Sequence, residues 1–160
     1  MHRLFLKLLT MMSIMFCCRI SSSPWSIWDD VVTPILPYRW PLWVPVLLEL
    51  ELDTGRGRLY KWGAAPSILI SSLGAEKIGT AGPPPGLSVT EPQAAAYGLS
   101  LRRGETLFLV SDGVGEEEAL HCCLKMAGLS PGELATALLS CGQLSGQDDA
   151  TVVVVTLRPG

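Results

Sequence analysis

Every glycine of this chain lies at or after Gly55, and no alanine precedes Ala64. Turns need glycine throughout a globular domain, so this step constrains the fold more than any other feature. Other residue types change at the same place. Trp25, Trp28, Trp40 and Trp43 lie before residue 46, as do Met1, Met11, Met12 and Met15. Residues 1–46 carry four basic and two acidic side chains, whereas 47–160 carry eight basic and thirteen acidic. A chain of 160 residues has room for one compact domain. We expect that domain over 47–158, behind a segment 1–46 of different character.

The first segment opens with Arg3 and Lys7 ahead of an apolar run from Leu8 to Cys18, the layout of a signal peptide. The run is shorter than the roughly 20 residues a spanning helix needs. Pro34, Pro37, Pro41 and Pro45 then forbid a helix or a central strand, and residues 1–46 are expected to form no ladder pairing. Three readings stand: a signal-like or membrane-associated segment using residues 1–30, a Pro/Trp-rich arm, or a stretch not native to the domain behind it.

From Val46 the pattern becomes regular. Leu48, Leu50 and Leu52 alternate with Glu49, Glu51 and Asp53, the period of a half-buried strand. Thr54-Gly55-Arg56-Gly57 signals a turn, and RLYKWG reads as the returning strand of a hairpin. PSILIS, AAYGLSL and ETLFLVS read as further strands, with a turn at Gly74 and a stiff GPPPG loop at 82–86.

The period then turns helical. EEEALHCCLKMAG sets Ala119, Cys122, Cys123 and Met126 on one face, with Glu116 to Glu118 in the first turn, where acids complement the helix dipole. Ser130-Pro131 opens a second helix, with Ser130 and Glu133 spaced as a capping box and Leu134, Ala137, Leu138 and Cys141 as its buried stripe. ATVVVVT closes the series as a strand expected to be buried on both faces. The order predicts an α+β domain with antiparallel pairing.

A net charge of −3 and a pI near 5.3 exclude an electrostatic footprint for nucleic acid. The cysteines, Cys17, Cys18, Cys122, Cys123 and Cys141, form no CxxC pair, which excludes a zinc ribbon or a thioredoxin site. Their odd number and adjacent pairs favour a reduced, interior compartment. His121 beside Cys122 and Cys123 is too cramped for a chelate and is expected to pack at the core boundary.

Two acidic sites remain. Asp112 ends the strand ETLFLVS and precedes Gly113, and Asp148-Asp149 stand directly before ATVVVVT. If these two strands are antiparallel neighbours, the sites meet at one end of the sheet, and the carboxylates of Asp112 and Asp148, within reach of one hydrated metal ion, are expected about 4–8 Å apart. Gathered carboxylates repel unless a cation neutralises them, and oxygen donors without His or Cys suit Mg²⁺ or Mn²⁺. The competing reading is two ordinary solvated turns, since Asp-Gly after a strand is a frequent turn.

KWGAAPSILI, PPPGL, LRRGETLFLVSDGV and GQDDATVVVVTL, in that order, resemble the C-terminal half of the stage II sporulation protein E type of PPM serine/threonine phosphatase. The resemblance implies a partial αββα sandwich of two antiparallel sheets. It implies hydrolysis of phosphoserine or phosphothreonine by a water activated at two Mn²⁺ or Mg²⁺ ions. Asp112, with Gly113, matches the S-D-G metal site, Asp148 matches the metal aspartate of D-D-x-T, and Asp149 holds the adjacent position. It further implies a cytoplasmic enzyme acting on a small phosphorylated anti-anti-sigma-type protein, in sporulation or stress switches. The family's bridging D-G-M-G motif does not occur in these 160 residues. The expectation is therefore a chain that holds metal poorly and has little activity alone. The alternatives are a non-catalytic interaction module with half of the fold, or a membrane-associated fragment.

Overall fold

The computed structural model describes residues 46–80, 95–126, 128–142 and 150–157, and the backbone of 5–10 and 16–21. The chain forms two compact units, Met1–Gly63 with Pro83–Ser100, and Ala64–Gly82 with Leu101–Gly160.

The first unit holds a sheet of β1 (Phe5–Thr10), β2 (Phe16–Ser21), β3 (Val46–Glu51), β4 (Arg56–Lys61) and β7 (Ala95–Ser100), ordered β2-β1-β3-β4-β7. The hairpin expected from the leucine–glutamate alternation is present, with Val46 opposite Lys61 and Leu50 opposite Gly57. Leu48 and Leu50 are buried while Glu49 and Glu51 are half-buried, as period two demands. Gly57 is required by space. A Cβ there would run into the Glu49 carbonyl oxygen.

The expectation that residues 1–46 form no ladder is corrected here. β1 pairs antiparallel with both β2 and β3, with Phe5 opposite Glu51 and Thr10 opposite Val46. Proline removes a ladder donor only where it stands, and residues 5–21 contain none. The apolar run from Leu8 to Cys18 is split between two strands. The four early tryptophans, the four prolines and the GPPPG loop lie outside the described residues. No helix among the described residues is long and apolar enough to cross a membrane.

The second unit holds a sheet of β5 (Ser67–Ser71), β6 (Gly74–Ile78), β8 (Thr106–Val110) and β9 (Val152–Thr156), ordered β6-β5-β8-β9, with α1 (Glu116–Cys123) and α2 (Pro131–Gly142). All pairings are antiparallel. The turn expected at Gly74 comes slightly earlier, so that EKI is paired within β6.

The core of this unit is one cluster. Ile68, Phe108 and Val110 of the sheet meet Val114, then Ala119 and Cys123 of α1 and Leu134 and Leu138 of α2. The stripe of α1 is narrower than expected, because Cys122 and Met126 lie half-buried at the margin. On α2 the buried line runs Leu134, Leu138, Gly142, and Cys141 is exposed. Seven residues after Leu134, Cys141 keeps to the same side of the helix, yet in the last turn it is exposed. β9 also differs from expectation. Only Val155 of its valines is buried, because β9 has a single strand neighbour among the described residues.

The capping box forms. The Ser130 amide donates to Glu133 Oε2 at 2.8 Å, and the Glu133 amide donates to Ser130 Oγ at 3.4 Å. These bonds satisfy amides that a helix start leaves orphaned.

Candidate metal site at the end of β8

The buried strand TLFLV delivers Ser111 and Asp112 to one end of the second unit's sheet. There the chain turns. The Val114 amide donates to the Ser111 carbonyl at 3.1 Å, across Asp112 and Gly113. Val114 is buried, and Gly115 follows with its amide on the Gly142 carbonyl at 2.8 Å. The end of α2 therefore holds the far side of the turn. A Cβ on Gly142 would lie 3.0 Å from Val114 Cγ1, a tight contact to which the valine side chain would have to yield. Asp112 itself is exposed, and Gly113 is buried.

The strand that follows Asp148-Asp149 is the neighbour of β8. Val110 stands opposite Val152, and the pairing continues one residue further. The Ser111 amide donates to the Thr151 carbonyl at 3.0 Å, and the Thr151 amide donates to Ser111 Oγ at 2.9 Å. The end of β8 and the beginning of β9 thus lie together, as the antiparallel supposition requires. Asp148 and Asp149 lie outside the described residues, so of the four anticipated site residues the structure places Asp112 and Gly113. Among the described residues no three of His, Cys, Asp and Glu gather in a way that could hold a metal ion.

Several other acidic and sulfur groups are engaged elsewhere. Lys77 of β6 makes ion pairs with Glu116 at 3.3 Å and Glu117 at 2.5 Å. Hydrogen bonding to Glu117, and then to Glu116, holds the Lys77 pKa above its usual value. The first turn of α1 is therefore tied to a strand rather than merely solvated. Cys122 is bonded to Cys141 across the two helices, with Cα atoms 6.7 Å apart. This corrects the expectation of reduced cysteines. Cys123 remains a buried thiol whose pKa is pushed up to about 11 by desolvation. His121 is exposed, which corrects the expectation that it packs at the core boundary.

Sequence reasoning missed the Ser111 contact, the Lys77 pairs and the cysteine bond. Each joins residues at least 19 positions apart. The one available signal was the order S-D-G and D-D-x-T, whose Ser and Thr turn out to be the bonded pair.

Known proteins agree with this fold. The family model described as Stage II sporulation protein E (SpoIIE) matches residues 45–158. The phosphatase domain of the cell fate determinant SpoIIE from Bacillus subtilis, presoaked with Mn, is similar at a TM-score of 0.57 and 21% identity, over 96% of this chain and 86% of that one. The RsbU and RsbW domains of Rv1364c from Mycobacterium tuberculosis match at a TM-score of 0.64 and 16% identity, over 86% of this chain and 45% of that one. The PPM Ser-Thr phosphatase MsPP from Mycobacterium smegmatis, in complex with cacodylate, matches at 0.58 and 16%, over 77% and 67%. At these identities the structures show the fold, which is part of the PPM phosphatase architecture. No curated protein matches the chain by sequence. That one family model spans β3 to β9, both helices and the ordered motifs, leaving β1 and β2 outside it, and the chain belongs to the Stage II sporulation protein E family.

Proposed function

We propose that this chain is the metal-site half of a protein serine/threonine phosphatase that hydrolyses phosphoserine or phosphothreonine on a small regulatory protein. The observation that carries the reading is the doubly bonded Ser111–Thr151 junction. It joins the segment bearing Asp112 to the residue two places after Asp149.

The donor chemistry fits a hard cation. Asp112 presents an exposed carboxylate at the end of a buried strand, without His or Cys beside it in sequence. Asp112 and Asp148 would hold Mn²⁺ or Mg²⁺, with Gly113 and Asp149 adjacent. Such an ion, when bound, neutralises phosphoryl oxygens and lowers the pKa of a water. The chain's own contribution is placement. The buried β8 fixes where Asp112 emerges, and Gly142 and Val114 hold the turn behind it. A cytoplasmic site of action goes with a phosphorylated anti-anti-sigma-type substrate. The pairing of RsbU and RsbW domains in the mycobacterial protein supports a regulatory partner of that kind.

A second reading is a non-catalytic module that binds a phosphoprotein. It is favoured by the lack of a D-G-M-G motif in these 160 residues. Mn²⁺-dependent hydrolysis of a phosphoserine peptide separates the two. We expect little turnover by 1–160, and recovery in a longer chain that supplies the D-G-M-G half ahead of Val46. No turnover by the longer chain would leave the binding module.

A further inference from the structure

Ser111 completes the ladder between β8 and β9 in an unusual way. Its amide donates to the Thr151 carbonyl, the first bond of an ordinary antiparallel pair. In such a pair the return bond would run from the Thr151 amide to the Ser111 carbonyl. That carbonyl instead accepts the Val114 amide at 3.1 Å and closes the Asp112-Gly113 turn. The return bond goes to the Ser111 hydroxyl at 2.9 Å. One buried side chain therefore lets the backbone leave the strand at Asp112 while the last rung of the sheet is kept.

We propose that Ser111 is a positioning residue for the metal site, its hydroxyl fixing where the Asp112 turn stands relative to the start of β9. This rests on the phosphatase reading above. The physical argument is that two carboxylate-bearing segments share a cation only if their separation is held. A metal ligand's supporting hydrogen bonds commonly change affinity by about 10–100-fold when removed. Alanine removes the acceptor of the Thr151 amide. Threonine keeps a hydroxyl on the same carbon. Cysteine keeps the size with a much weaker acceptor.

The test uses the full 160-residue chain with two readouts. Amide exchange by NMR should show loss of protection at Thr151 and at Gly113 to Gly115 in Ser111→Ala, and recovery in Ser111→Thr. Mn²⁺ titration, followed by the electron paramagnetic resonance of the free ion, should show affinity weakened by about tenfold or more in Ser111→Ala and restored in Ser111→Thr. Leu134→Ala, a core change in α2, should lower the melting temperature and leave Mn²⁺ affinity unchanged. If Ser111→Ala does not fold, Ser111→Cys takes its place with the same expectations. Unchanged Mn²⁺ affinity in Ser111→Ala, with affinity lost in Asp112→Asn, overturns the role of Ser111 and keeps the phosphatase reading. Affinity indifferent to Asp112→Asn, or no Mn²⁺ binding either by this chain or by a longer one that supplies the D-G-M-G half, overturns the reading itself and the Ser111 role with it.

Discussion

The two units use carboxylates in opposite ways. In the first, Glu49 lies within β3 and Glu51 ends it, both half-buried and each with a hydroxyl donor close by. Tyr60 Oη donates to Glu49 at 3.3 Å, and Thr54 Oγ1 donates to Glu51 at 2.6 Å. In the second, Asp112 lies just past the end of β8 and is exposed. A carboxylate within a strand has its surroundings set by cross-strand neighbours and spends itself on the fold. One that stands past the strand's end, exposed and outside the ladder, is aimed by the strand yet remains open to a ligand. Burial and position, rather than residue type, separate structural acid from candidate site.

The largest expected effect tests that contrast directly. In a longer chain carrying the D-G-M-G half, Asp112→Asn should reduce Mn²⁺-dependent phosphatase activity by more than about 100-fold, beyond what loss of a supporting residue typically costs. Glu49→Gln in the same chain should leave it within about threefold. Steady-state rates with a phosphoserine peptide decide the matter, and equal losses from both substitutions would erase the distinction between the units.

The next effect concerns what braces the site. Cys122 and Cys141 join the helices across a separation of 19 residues. Closing a loop of that size stabilises a fold by about 3 kcal/mol in the chain-entropy account. Cys141→Ser should therefore lower the urea midpoint, and treatment of the native chain with a reductant should reproduce the shift. A midpoint that reductant leaves unchanged would mean that the cysteine bond adds nothing to the stability the second unit's core already supplies.

Glycine substitutions probe the two units on a smaller scale. Gly57→Ala drives a Cβ into backbone, the Glu49 carbonyl, whereas Gly142→Ala meets the end of the Val114 side chain. Overpacking costs about 1–3 kcal/mol, and backbone yields less than a side chain does. We expect Gly57→Ala at or above the top of that range and Gly142→Ala near the bottom. Gly142→Ala should nevertheless weaken Mn²⁺ binding, since Val114 closes the turn behind Asp112. Thermal melts and Mn²⁺ titrations of both variants would sort fold from site.

What the sequence disclosed follows the same division between local and distant causes. The β3–β4 hairpin was legible because leucine–glutamate alternation and a Thr-Gly turn are local signals. The start of α2 was legible because a capping box is written in four residues. β1 and β2 were not legible. Their apolar run has no alternation, and the nearby prolines suggested a segment without pairing, although a proline blocks only its own amide. Four consecutive valines in β9 signalled full burial, but the number of neighbours a strand has is a property of the sheet. For the site, Asp112 and its meeting with the start of β9 were inferable from motif order. The Ser111 hydroxyl was not, because its role depends on which carbonyl the turn consumes.

The smallest effect separates the two helix starts. α2 begins on the Ser130–Glu133 box, whereas α1 begins at Gly115 with no side-chain cap bond and leans on the Gly142 carbonyl and on Lys77. Replacing a capping serine by alanine typically costs about 0.5–2 kcal/mol, so Ser130→Ala should destabilise the second unit modestly. The effect should depend on pH in a defined direction. Hydrogen bonds from the Ser130 hydroxyl and then its amide hold the Glu133 carboxyl below the usual range. A carboxylate whose folded pKa is depressed contributes stability above its unfolded pKa, about 4.3, and loses it as pH falls through the folded value. The gap between the native chain and Ser130→Ala should thus be full at pH 7 and narrow below about pH 4. Urea midpoints at pH 7 and pH 3 measure it. A gap that persists unchanged at pH 3 would show that Ser130 acts on the helix through its own hydroxyl alone, without the ionised Glu133, and that the two helix starts differ less than their bonds suggest.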